Sequence, residues 1–239
     1  MGDLLSRVLE AHGGLEPWRA LEKGAATIVS GGELLDRKAP QSPEPRQITI
    51  SLHEPFAEIA PFGGPDRRSS FRPNRVLIQT TAGEVLAERP QPRASFAGHD
   101  LDTKWDPLHR AYFGGYAPWI YLNAPFMFTS PGVRTEEIAP LQEKRETWRG
   151  LRVTLPADIP SHSPVQDFYF GEDYLMRRQD YTLDVAGGCN VANYALDMIT
   201  ANGLRIPGKR RAYLCDERYR VLYDRLLIWI DFSDVGFSC

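Results

Sequence analysis

The 239-residue chain carries 28 Lys and Arg against 31 Asp and Glu, a formal charge of −3. That balance excludes a surface built chiefly to neutralise phosphates; the basic runs "YLMRRQD" (174–180) and "GKRRAYL" (208–214) alternate with apolar residues, as solvated strand faces do, so no nucleic-acid partner is expected. Hydrophobic residues make up 42%, enough for a core, and three cysteines without C-x-x-C spacing fit a reducing compartment and exclude a zinc site or disulfide framework.

The first segment, "DLLSRVLEAHGG" (3–14), predicts a short helix: Leu4, Leu5, Val8 and Leu9 share one face, and Gly13-Gly14 supplies a left-handed exit. "LEPWRALEK" (15–23) predicts one more turn, pinned by Trp18. The opening residues show no basic region, apolar run or small-residue cleavage site, so a cytoplasmic protein is expected. A match of "MGDLLS" to the short myristoylation pattern is attributed to chance, and no apolar stretch has the length of a membrane span.

A proline-rich loop, "KAPQSPEPR" (38–46), leads into "RQITISLHE" (46–54), where Ile48, Ile50 and Leu52 alternate with polar residues as in a half-buried strand. "NRVLIQTTAGEVLAER" (74–89) reads as a hairpin turning at Ala82-Gly83, and "RPQPRASFAGHDLD" (89–102) as loop. Next comes "DPLHRAYFGGYAPWIYLNAP" (106–125), a helix or broken helix. Asp106 is its N-cap and Pro107 its first residue; Leu108, Tyr112, Tyr116 and Trp119 follow helical spacing, and Gly114-Gly115 permits a kink or a close backbone approach.

The C-terminal half reads as strands throughout, with hairpins at "FYF-GED-YLMRR" and "MIT-ANG-LRIP". No helix-strand alternation indicates a parallel sheet. The expected architecture is mainly β: a single domain over 1–239, one antiparallel sheet of about ten strands, curled into an incomplete barrel. An N-terminal helix and the central aromatic helix would cover an apolar cavity within it.

Four blocks carry a resemblance: "EAHGGLEPWRAL", "APFGGPDRRSSFRPNRVLIQTTAGEV", "PRASFAGHDLDTKWDPLHRAYFGGYAPWIYLNAPF" and "DFYFGEDYLMRRQDYTLDVAGG". The chain resembles an uncharacterised bacterial family of about this length, related in fold to the outer-membrane lipoprotein carriers. The resemblance implies a Lol-type half-barrel around an apolar cavity that holds acyl chains without catalysis. It also implies a polar interior that departs from its relatives at Gln179 and Asn193, where they often carry His.

Motifs of hydrolases, zinc peptidases, P-loops and dinucleotide folds do not occur in the sequence, so no cofactor and no metal are expected. "PFGGPDRR" (61–68) reads as a tight turn, and His99, Asp100, Asp102 and Asp106 of "HDLDTKWD" as a solvated loop. The candidate wall of an apolar pocket is Trp105, Tyr112, Trp119, Tyr121 and Phe126 around the helix, with Tyr194 and Trp229 from strands. Candidates for proton transfer are His109, Tyr116, Asp180 and Tyr181; strand alternation sets Asp180 and Tyr181 on opposite faces and leaves open which looks inward.

The leading expectation is a cofactor-free biosynthetic enzyme that cyclises, isomerises or dehydrates a polyketide- or terpene-like intermediate. The alternative is a non-catalytic carrier of lipid or another hydrophobic ligand, and a third reading is an interaction module with a solid core. The expected partner is an apolar small molecule or lipid, without stable membrane insertion; oligomeric state is not legible in the sequence.

Overall fold

The computed structural model describes residues 2–40 and 42–239; Met1 of the opening pattern and Gln41 of the proline-rich loop lie outside the described residues. Helix α1 (Asp3–Ala11) buries Leu4, Leu5, Val8 and Leu9, the face its spacing predicts. It ends at Gly13, whose φ of +116° and closeness to Gly203 exclude a side chain: a Cβ there would lie 2.3 Å from the Gly203 carbonyl oxygen. Helix α2 (Leu15–Arg19) follows, and its Trp18 stacks on Phe126 with ring centroids 5.8 Å apart.

The remaining elements, in chain order, are β1 (Lys23–Gly31), α3 (Glu33–Lys38), β2 (Arg46–Ser51), β3 (Ala57–Ala60), β4 (Arg67–Arg72), β5 (Arg75–Thr80) and β6 (Val85–Pro90). After these come α4 (Pro107–Asn123), β7 (Arg134–Glu143), β8 (Glu146–Thr154), β9 (Val165–Phe170), β10 (Met176–Leu183), β11 (Cys189–Ala201), β12 (Leu204–Cys215) and β13 (Val221–Ser238). All thirteen strands form one sheet in the order β6-β5-β4-β3-β2-β1-β13-β12-β11-β10-β9-β8-β7.

Each half of the chain is therefore an antiparallel meander, and the halves meet where β1 pairs with β13, from Lys23 opposite Ser238 to Gly31 opposite Trp229. Strands β6 and β7 are the open edges, so the curled sheet is an incomplete barrel. Edge β7 carries Pro140 and an irregular register between Ile138 and Leu141, which removes a donor and blunts pairing with another chain.

The sequence predicts about ten strands because several of the thirteen carry weak alternation. Strand β1, "KGAATIVSG", is diluted by small residues, β3 is four residues long, and β7 lies mostly in solvent. Hairpins at Ala82-Gly83 and Asn202-Gly203 stand as predicted; Asn202 (φ +50°) and Gly203 (φ +82°) adopt the left-handed pair that such a turn needs.

Helix α4 lies in the bend of the sheet and packs on β3 to β6 on one side and β12 on the other. Asp106 caps it, with Pro107 in the first turn, as the sequence predicts. Every residue from His109 to Asn123 is buried, so this helix is enclosed on all sides rather than amphipathic. No helix among the described residues is long and apolar enough to cross a membrane.

Candidate functional site

The central helix fills most of the hollow it was expected to cover. Gly114, Ala117 and Pro118 turn its least bulky side towards β1, β3 and β13, and there a cavity of about 20 Å³ remains, the room of one water. Ile28, Leu35, Ile59, Phe62, Phe113 and Ile230 supply an apolar wall, and Arg46 and Arg110 supply charge. Open grooves flank this seam. One of about 330 Å³ shares Arg46 with Pro61, Gly63 and Gly64; another of about 440 Å³ shares Arg110 with Lys38, Lys104 and Trp105.

Arg110 is 5% exposed, and its Nε is a buried donor without an acceptor. Burial, reinforced by the like charge of Arg46, pulls its guanidinium down to about 9. Pro118 compounds the polarity of the seam, because it lacks the amide hydrogen that an α-helix would offer to the Gly114 carbonyl.

A second cluster lies deeper. His162, fully buried on the β8–β9 loop, meets the Tyr121 hydroxyl 2.8 Å from Nε2 and the Tyr116 hydroxyl 3.3 Å from Nδ1. Its ring stacks on Tyr181 of β10 at 4.1 Å and 12°. Arg93 anchors the loop by donating to the Ser161 carbonyl at 2.8 Å.

The Arg210 guanidinium lies 4.4 Å over the Tyr121 ring and donates to Gln179 Oε1 at 3.0 Å; Gln179 in turn donates to Gln166. The Tyr181 hydroxyl and the Asn193 amide, both buried, lie near the Tyr121 hydroxyl but have no hydrogen bond within 3.5 Å among the described residues. Burial holds the His162 imidazole well below its ordinary range, with Arg93 and Arg210 adding to the effect. It also holds the Tyr116 and Tyr181 hydroxyls well above theirs. In each case burial favours the uncharged form.

Three sequence-nominated residues, Tyr116, Tyr121 and Tyr181, thus converge on His162, with Tyr112 beside Tyr116 at 5.3 Å between rings. The others lie elsewhere. His109 closes the α4 capping box: Nδ1 accepts from the Asp106 amide at 3.2 Å, and Nε2 faces the Ser95 carbonyl at 3.3 Å. Trp119 donates to the Ser51 carbonyl at 2.8 Å, Phe126 packs on Trp18, and Trp105 sits in the flanking groove beneath Lys38.

Asp180 and Tyr194 face away from α4, which settles the strand faces that the sequence leaves open. Alternation along β10 and β11 turns them out because Tyr181 and Asn193 turn in. Arg178 grips both Asp180 oxygens at 2.6 and 2.9 Å and also bonds Glu143 and Tyr194. Burial raises the Asp180 carboxyl to about 6 against the pull of Arg178. Trp229 also faces outward, opposite Ile228 and Ile230, where it covers Gly31 under Arg211. The acids of "HDLDTKWD" are engaged locally: Asp100 caps Asp102 and Thr103, Asp102 pairs with Arg37, and Asp106 with Arg89.

Sequence reasoning passed over His162, which lies in a loop without periodicity. It also passed over Arg110, although a signal existed: this is the only Lys, Arg, Asp or Glu between Asp106 and Arg134.

The architecture defines a half-barrel with an internal helix, and solved structures share it. A DUF1329-family protein from Desulfovibrio piger aligns with a TM-score of 0.53 at 8% identity, covering 99% of this chain and 94% of its own. A putative outer-membrane lipoprotein-sorting protein domain from Vibrio parahaemolyticus gives 0.51 at 9% identity, over 95% and 93%. A LolA-superfamily protein from Nitrosomonas europaea gives 0.49 at 7% identity, over 95% and 90%. No family model matches the chain, and no curated protein matches it in sequence. The DUF1329-family protein and the lipoprotein-sorting protein domain share the fold of this chain; identities this low establish the fold and nothing finer.

Proposed function

We propose that this protein binds a hydrophobic or amphipathic small molecule and releases it unchanged, with the guest entering along the seam between α4 and strands β1, β3 and β13. One observation carries the reading. The helix packs chiefly on β3 to β6 and β12, while towards β1 and β13 its small residues Gly114, Ala117 and Pro118, flanked by Arg110 and Phe113, leave a gap against a mostly apolar wall. The residual cavity has room for one water, so a guest enters only as α4 gives way on that side, where Arg46 and Arg110 also line open grooves.

The catalytic reading has less support. None of these cavities has Tyr116, Tyr121, Tyr181 or His162 in its wall. The test is incubation with 1-hexadecanol and with palmitic acid, read by native mass spectrometry, followed by chromatography of the extracted ligand. A one-to-one adduct with at least one of them, recovered unchanged, is the expected result. Absence of any adduct overturns the reading, and chemical conversion of the guest restores the enzyme hypothesis.

A further inference from the structure

We propose that Arg110 is the anchor for a compact anionic head group, so that the guest of the seam is a long-chain amphipath ending in a carboxylate or phosphate. This inference rests on the binding reading above and specifies its ligand. The first support is the isolation of the charge. Among the described residues no carboxylate pairs with Arg110, and its Nε has no acceptor. A guanidinium buried this far is ordinarily matched by a counter-charge or by a full set of acceptors.

The other buried arginines of this chain have partners for their guanidinium groups, although Arg210 Nε is also a buried donor without an acceptor. Arg178 holds Asp180 and Glu143, and Arg210 holds Gln179 Oε1, the Met176 sulfur and the face of Tyr121. Arg110 differs in having neither a side-chain hydrogen bond nor an ion pair among the described residues, and it lies on a cavity wall.

Placement is the second support. Arg110 precedes Gly114 by one helical turn, and its Nη1 would be 3.6 Å from a Cβ at position 114, so the guanidinium lies along the bare side of the helix. The adjoining groove brings Lys38 and Lys104, whose ammonium groups bond backbone carbonyls of Asp100, Thr103 and Arg37. Arg46, which donates to the Ser42 carbonyl at 3.4 Å, stands on the same cavity wall. No Asp or Glu lines the seam or the Lys38 groove; Glu44 lines the groove on the far side of Arg46.

The third support is the rest of the wall, which apart from Ser30 and Arg46 is apolar: among others Ile28, Leu35, Ile59, Phe113 and Ile230. A cationic end joined to an apolar slot matches a ligand with one anionic end and a hydrocarbon tail. The planar guanidinium offers the fork that a carboxylate or phosphate accepts in bidentate fashion.

The experiment measures the affinities of palmitic acid, 1-hexadecanol, methyl palmitate and 1-palmitoyl lysophosphatidic acid for the intact protein and for Arg110→Met. Palmitate or the lysophosphatidic acid should bind at least about tenfold more tightly than the alcohol and the ester, the value of one desolvated charge-assisted contact. The tighter of the two anions identifies the head. Arg110→Met should bring the anions down to the affinity of the alcohol and leave the alcohol unchanged. Equal binding of acid, alcohol and ester to the intact protein overturns the inference while the carrier reading stands. Binding of none of them ends both, and the comparison on the intact protein decides the matter even if Arg110→Met fails to fold.

Discussion

A Cβ atom placed on Gly115 would stand 2.3 Å from the Cβ of Phe71 on β4, whereas one placed on Gly114 would meet nothing nearer than Arg110 Nη1 at 3.6 Å. Adjacent glycines of one helix therefore serve different ends. Gly115 lets α4 seat against the sheet, and Gly114 faces the seam. Gly115→Ala should destabilise the fold by about 1–3 kcal/mol through overpacking, because Phe71 Cβ sits next to backbone and cannot swing aside. Gly114→Ala should be neutral or stabilising by up to about 1 kcal/mol, since alanine favours the helix. Urea denaturation of both variants checks the contrast; equal losses would remove the distinction.

Acid should loosen the fold through two buried imidazoles. His12 faces the Val8 carbonyl through Nδ1 at 2.8 Å and the Met176 amide through Nε2 at 3.4 Å, tying α1 to β10, and burial lowers it to about 4. His162 is lowered in the same direction and for the same cause. A histidine depressed in the folded state takes up its proton first in the unfolded chain, so its contribution is complete above about pH 6.5 and is lost as pH falls towards 4. For His12 this amounts to about 3 kcal/mol at most. The raised Asp180 runs the opposite way, so the informative quantity is the difference between the parent and His12→Gln, measured in denaturant at pH 7.0 and 4.5. Parallel pH profiles for the two proteins would contradict the assignment.

Two tyrosines around His162 should respond differently to loss of the hydroxyl. Tyr121→Phe leaves the buried His162 Nε2 without its partner at 2.8 Å and should cost about 1–3 kcal/mol. Tyr181→Phe removes a buried hydroxyl that meets Tyr121 only beyond 3.5 Å and keeps the ring stacked on His162, so it should cost less than Tyr121→Phe. Denaturation midpoints decide this one. A loss in Tyr181→Phe as large as in Tyr121→Phe would show that its hydroxyl is bonded after all.

Much of the architecture could be read from the chain because its signals are local. Leu4, Leu5, Val8 and Leu9 define a helix face, Asp106-Pro107 starts α4, and Asn202-Gly203 turns a hairpin by conformation alone. Such signals fix an element wherever it finally packs. The candidate site depends on contacts between distant segments: Tyr121 and His162 are separated by 41 residues and Arg210 and Gln179 by 31. No periodicity encodes such meetings. Nor does an aromatic-rich helix disclose from its own residues whether it roofs a hollow or occupies it. That depends on how far the sheet curls around it.

One feature of the strand order bears on how the molecule is made. Strand β13 occupies the middle of the sheet, with six strands on either flank, and yet it leaves the ribosome after every other strand. Until it emerges, β1 and β12 each present a bare row of amide and carbonyl groups, and the nascent chain is two ribbons tethered by α4. Completion of the fold is then a single late insertion that zips both ribbons at once, and the interval before it is when this chain is most exposed to pairing with a neighbour.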